Sequence, residues 1–129
     1  MAVRGGCGVF DVSHMGEVMV SGKDAEVFVN EIFTNDVRDM PSGKILYGMM
    51  LNADGGVIDD LLVYKIAEEK YMLVINAGNI DKDIAWIRRQ AAGRDVTIND
   101  FCDATGQLAV QGPQASHVVA EQLGLDCEP

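Results

Sequence analysis

Apolar positions along this chain alternate between a spacing of two and a spacing of three to four, which predicts short strands interleaved with amphipathic helices. Glu17-Val18-Met19-Val20 is β-prone and stops at Ser21-Gly22, so it reads as a strand closed by a turn. From Ala25 the apolar residues Ala25, Phe28, Val29, Ile32 and Phe33 fall on one helical face. Ser21 and Asp24, three apart just before that run, resemble a loose capping box. Pro41-Ser42-Gly43 marks a turn, and Lys44 to Leu51 reads as a strand that runs into the loop Asn52-Ala53-Asp54-Gly55-Gly56. Val57 to Ile66 is the strongest strand pattern of the chain. Tyr71 to Ile75 pairs with it as a hairpin across Ala67-Glu68-Glu69-Lys70.

A second helix is predicted from about Asn79 to Ala92, with Ile80, Ile84, Ile87 and Ala91 on its inner side, Asn79 as N-cap and Gly93 as C-cap. Val96 to Ile98 and Gln107 to Gln111 look extended. Gly112-Pro113 opens a third helix, with Pro in its first turn and Ala115, Val118, Val119 and Leu123 facing inward before Gly124. The order β-α-β-β-β-α-β-β-α, hairpins and helical crossovers on one sheet, predicts an α+β fold of ferredoxin-like sandwich type. No repeat, low-complexity segment or internal linker interrupts residues 1–129, so a single domain is expected.

Composition narrows the function. A chain of 129 residues with 48% hydrophobic and 23% charged residues can bury a core and is not a disordered segment. No apolar run approaches the roughly 18 residues needed to cross a membrane. The first ten residues lack the features of a secretory signal or transit peptide, so the cytoplasm is the expected location. A net charge of −10 opposes binding to a phosphate backbone, and the ten Lys and Arg are scattered. Nucleic acid becomes a candidate partner only if folding gathers Lys44, Lys65, Arg88, Arg89 and Arg94. Cys7, Cys102 and Cys127 form neither a disulfide framework nor a C-x-x-C pair, and read as ordinary thiols.

Asp59 and Asp60 carry the most chemical information, because they interrupt an otherwise apolar strand. Alternation sends Val57, Asp59, Leu61 and Val63 to one face and Ile58, Asp60, Leu62 and Tyr64 to the other, and both faces look covered. A carboxylate in such a surface must be hydrogen-bonded, paired or protonated, which makes the pair a site candidate. The competing reading is structural: one Asp caps the Gly55-Gly56 loop and the other faces water. Asn76 offers an amide at the end of the partner strand, but on its own such a residue is more often a turn former or a helix N-cap. His14 has no second ligand at metal spacing and reads as a hydrogen-bonded structural histidine; no metal site is expected. Ser13 beside it is no catalytic dyad by adjacency. His117 reads as a surface residue. Gly55-Gly56 joins strand to strand and lacks a phosphate-binding pattern. Met15, Met19, Met40, Met49, Met50 and Met72 read as core fillers.

Five blocks, in order, resemble the T-protein family of folate-dependent aminomethyltransferases from the glycine cleavage system. They are Phe10-Asp11-Val12-Ser13-His14-Met15, Tyr47 to Leu51, Asn52 through Tyr64, Val74-Ile75-Asn76-Ala77 and Leu108-Ala109-Val110-Gln111-Gly112-Pro113. The resemblance implies transfer of a methylene group from an aminomethylated dihydrolipoyl carrier protein, the H-protein, to tetrahydrofolate, with release of ammonia. It places Asp60 against the reacting end of the folate as the catalytic carboxylate, where it could stabilise developing positive charge or relay a proton. Asp59 becomes its structural partner. Met15, Tyr47, Asp60 and Asn76 match folate-binding positions. Complete family members are longer, and their later regions supply further Glu, Tyr and Arg contacts, so the resemblance covers an N-terminal folate-binding portion. Two alternatives remain at this stage: a related folate-dependent demethylase, and a non-catalytic α+β module that associates with itself as a homo-oligomer through exposed apolar surface.

Overall fold

The structure is a computed structural model and describes residues 1–125; Cys127 lies outside the described residues. In chain order the elements are α1 (Ala2–Gly5), β1 (Gly8–Asp11), β2 (Gly16–Ser21), α2 (Ala25–Ile32), β3 (Ile45–Leu51), β4 (Val57–Ala67), β5 (Lys70–Ile75), α3 (Ile80–Gln90), β6 (Thr97–Asp100), β7 (Leu108–Gln111) and α4 (Ala115–Leu123). Short 3-10 turns occupy Ala77–Asn79 and Cys102–Ala104. The described residues form two compact units: residues 1–14 with 106–125, and Met15–Thr105.

In the larger unit a five-stranded antiparallel sheet runs β3-β4-β5-β2-β6. Leaving out β3, the strands and two helices form a β-α-β-β-α-β unit in sheet order β4-β5-β2-β6, the ferredoxin-like arrangement. β3 extends that sheet at the β4 edge. The alternation of each strand then decides what is buried. Val18, Val20, Leu61, Val63, Tyr71, Leu73 and Ile75 point to one face, where Phe28, Val29 and Ile32 of α2 and Ile84 and Ile87 of α3 cover them. Burying a side chain of this size stabilises by roughly 1.5–3 kcal/mol. The opposite face is only partly covered: Asp60 is exposed and Ile58, Leu62 and Tyr64 are half-buried. The expectation that both faces of β4 are covered is therefore corrected.

In the smaller unit β1 pairs antiparallel with β7. The first helix and β1 were not predicted, and β7 belongs to this separate two-stranded sheet instead of joining a single one. Asp11 and Ser13 explain why the pairing continues past the strand. The Asp11 carboxylate accepts the Ser13 N–H at 2.9 Å, and Ser13 Oγ accepts the Gln107 N–H at 3.0 Å.

Several predicted caps are replaced by longer-range bonds. Asp24 precedes α2 but makes no side-chain cap; its carboxylate accepts the Asp95 N–H at 2.8 Å. Asn79 precedes α3, yet its amide is directed to Asp59. Pro113 falls two residues before α4, and Leu123, expected to face inward, is 64% exposed. Gly124 does close that helix in the left-handed conformation, at φ 64°.

Candidate functional site

Asp59 and Asp60 diverge as strand geometry requires, and their surroundings give them different tasks. Asp59 points to the helix-covered face and is 5% exposed. Its carboxylate accepts the Asn76 N–H at 3.0 Å, Asn76 Nδ2 at 3.0 Å and Asn79 Nδ2 at 2.7 Å. Burial pushes its pKa up, but hydrogen bonds from Asp83, Asn76 and Asn79 outweigh that and hold it below the ordinary carboxylate value. Asp60 points to the opposite, open face. Tyr47 Oη donates to Asp60 Oδ2 at 3.0 Å, and Asn76 Nδ2 donates to Asp60 Oδ1 at 3.0 Å. The bond to Asp60 keeps the Tyr47 hydroxyl protonated to a higher pH than usual.

Neither Asp caps the Gly55-Gly56 loop. That task falls to Asn52, whose Oδ1 accepts the N–H groups of Asp54 at 3.0 Å and Gly56 at 2.8 Å. With the loop satisfied elsewhere, Asp60 is left at a cavity of about 200 Å³ on the open face of the sheet. Tyr47, Asp60 and Asn76 supply its polar part, and Met15, Leu61, Leu62 and Val74 its apolar part. The four residues expected to bind a ligand, Met15, Tyr47, Asp60 and Asn76, thus converge on one hollow. Register explains three of them: Tyr47 stands opposite Leu62, and Leu62 opposite Val74, so neighbours two residues along share the face. The hollow is smaller than the roughly 300–1,000 Å³ of usual small-molecule sites, so it suits one end of a ligand.

Not every expectation holds. Met15 lines the cavity and Met49 is 39% exposed, whereas Met40 and Met50 fill the core as expected. His14 is exposed, not anchored in an interior. His117 is on the surface, 3.5 Å from Glu121 one turn along. Of the basic residues that folding might have gathered, Lys65 is buried against Glu26 and Tyr71, and Arg94 pairs with Glu31. Burial pushes the Cys102 thiol up to about 11, which leaves it unreactive.

Two buried acids escaped the sequence. Glu17 is 1% exposed with no donor on either carboxyl oxygen, and burial raises its pKa. It pairs with the cavity residue Val74 across the strands. Asp83 is fully buried, and burial together with Asp59 pushes its pKa up to about 7. A signal for Asp83 was available: it stands three after Ile80 and four before Ile87, on the stripe that packs inward.

A helix-backed antiparallel sheet with a carboxylate-bearing hollow on its open face defines an α+β domain with a candidate ligand site. The GCVT N-terminal domain family matches residues 1–129, and the chain belongs to it. The aminomethyltransferase of Alkaliphilus oremlandii is 50% identical over 125 residues, 97% of this chain and 34% of that protein. That of Bacillus velezensis is 54% identical over 125 residues, again 97% and 34%. The crystal structure of glycine cleavage system aminomethyltransferase T from Bartonella henselae is similar at a TM-score of 0.82 and 34% identity, over 92% of this chain and 32% of that one. The chain therefore spans about a third of the length of the curated relatives it matches.

Proposed function

We propose that residues 1–129 are a single partial folate-binding domain of an aminomethyltransferase of the glycine cleavage system. In that activity a methylene group passes from the aminomethyl-dihydrolipoyl H-protein to tetrahydrofolate with release of ammonia. The observation that carries the reading is the Asp60 carboxylate, fixed by Tyr47 and Asn76 at the edge of an otherwise apolar hollow. The names of the relatives support it. Tetrahydrofolate, when bound, supplies the nucleophilic nitrogens that accept the one-carbon unit. Its reduced pterin is partly apolar and edged with N–H groups. Met15, Leu62 and Val74 would pack against the ring, and Asp60, Tyr47 and Asn76 would meet its polar edge.

Asp60 is the proposed catalytic residue. Two directed hydrogen bonds fix its oxygens before any ligand arrives, and a preorganised carboxylate stabilises positive charge developing nearby without rearranging. The same oxygens can take or return a proton at a ligand nitrogen. Tyr47 and Asn76 orient it, and Asp59 anchors Asn76 from behind. H-protein is the proposed partner and the cytoplasm the proposed location. Among the described residues no helix is long and apolar enough to cross a membrane.

Isothermal titration with tetrahydrofolate tests the reading. Binding by the unmodified chain should weaken about 10- to 100-fold in Asp60→Asn, as expected for loss of a charged hydrogen-bond partner worth roughly 1.5–3 kcal/mol. Equal affinity in the two proteins, or no binding by either, would count against it. Self-association as a non-catalytic module draws support from Tyr47 and Val57, each 61% exposed. Sedimentation velocity showing a dimer without folate binding would favour that reading.

A further inference from the structure

The proposed function leaves Asp83 without a task, and its setting demands one. Its side chain is fully buried on α3, and neither carboxyl oxygen meets a donor at hydrogen-bond geometry. Lys82 Nζ forms an ion pair with Asp83 Oδ1 at 3.4 Å, longer than its bond to the Ile58 carbonyl at 2.6 Å, and its side chain is half exposed. What does lie within hydrogen-bonding reach is the carboxyl of Asp59 on β4. Two ionised carboxylates have only acceptors and cannot bond to each other. A proton on one of them converts repulsion into a short, charge-assisted O–H···O⁻ bond.

The donors around the pair decide where that proton sits. Asp59 receives three N–H groups, two from Asn76 and one from Asn79, which favour its anion. Asp83 is buried with no such N–H group and only the longer Lys82 ion pair, so its neutral acid is favoured. The chain of contacts then runs from Asp83 to Asp59, from Asp59 to the Asn76 amide, and from that amide to Asp60 at the cavity.

We propose that Asp83 is a positioning residue for the cavity: it stays protonated, shares its proton with Asp59, and thereby holds the Asn76 amide against Asp60. The charged groups acting on it are Asp59 from β4 and Lys82 from its own helix. When Asp83 releases its proton to solvent, two carboxylates face each other with only the half-exposed Lys82 to offset them. Asn76, which bonds Asp59 through both its N–H groups, is the first residue to feel the change. The link to ligand binding rests on the folate reading, whereas the shared proton stands without it.

The test uses the ligand-free chain with carbon-13 in its Asp carboxyls, titrated by NMR from pH 4 to 9. The carboxyl signals of Asp83 and Asp59 should move in one common step near neutral pH, and the Asn76 side-chain NH2 signals should shift in that same step. In Asp83→Asn, whose amide can still donate to Asp59, the step should vanish from both Asp59 and Asn76. Asp83 already ionised by pH 5, or Asn76 signals flat through the Asp83 step, would overturn the proposal on the unmodified chain alone, whether or not the variant folds. Tetrahydrofolate affinity should also fall severalfold from pH 6 to pH 8.5 in the unmodified chain and change less in Asp83→Asn. A common NMR step in a chain that binds no folate at any pH would defeat the folate reading and uphold the shared proton.

Discussion

Asn76 bonds both strand carboxylates through one amide at 3.0 Å, so single side chains near it have separable energetic roles. Asp60 bonds only groups that water can serve in its absence, and Asp60→Leu should change stability by no more than about 0.5 kcal/mol. Asn52→Ala removes both loop bonds and should cost about 1–2 kcal/mol. Urea melts of the two variants check this pair, and the opposite ranking would show that Asp60 is structural. Asp83 adds a pH dependence whose sign follows from its raised value. Folded Asp83 titrates at about 7 against an ordinary 3.8, so the folded chain binds the extra proton between those limits. Its contribution to stability is complete below the unfolded value, declines as pH rises toward 7, and is flat beyond. The slope is on the order of 1.4 kcal/mol per pH unit at most. Asp83→Asn should remove that decline, and parallel stability curves for both proteins between pH 4 and 7 would show it wrong. Asp60, Asn76, Tyr47 and Met15 were legible through their family resemblance. Glu17 and Asp83 were missed, Asp83 despite its place on the inward stripe of α3, because a charged letter in a sequence is ordinarily read as a surface residue.

Elements with strong periodicity appear close to where their patterns place them. β4 runs Val57–Ala67 and β5 Lys70–Ile75, joined by the predicted turn, and α2 begins at Ala25. Their boundaries are set locally, by alternation and by breakers. Caps were legible less well, since Asp24 and Asn79 each have a more distant partner, Asp95 and Asp59, that competes with the helix end. β1 was missed because Gly8–Asp11 is too short to show a period, and it exists by pairing with β7. The turn after β2 offers a sharp test. Gly22 has φ 133°, and a Cβ there would lie 2.2 Å from the Asp95 carbonyl oxygen. Gly22→Ala should therefore cost more than about 2 kcal/mol, through backbone strain and a clash with main chain that cannot move aside. A thermal melt within error of the unmodified chain would refute this.

At the scale of the molecule, every buried hydrophobic residue from Val18 to Ile87 belongs to Met15–Thr105, and so do the cavity and the Asp59–Asp83 pair. That segment carries its own core. Residues 15–105 expressed alone should unfold cooperatively in circular dichroism and keep the neutral-pH step of Asp83. A broad, non-cooperative melt would mean that this core does not suffice.

By itself the sequence determined the α+β class, the β4–β5 hairpin, the helices α2 and α3, and the family, because these depend on periodicity and on ordered local motifs. Only the tertiary structure decided that one face of β4 is covered and the other open, which separates Asp59 from Asp60. It alone brought Asp83 against Asp59, residues on different elements, with both side chains buried. Contacts between distant residues depend on how sheet and helices stack, and no local spacing encodes that distance.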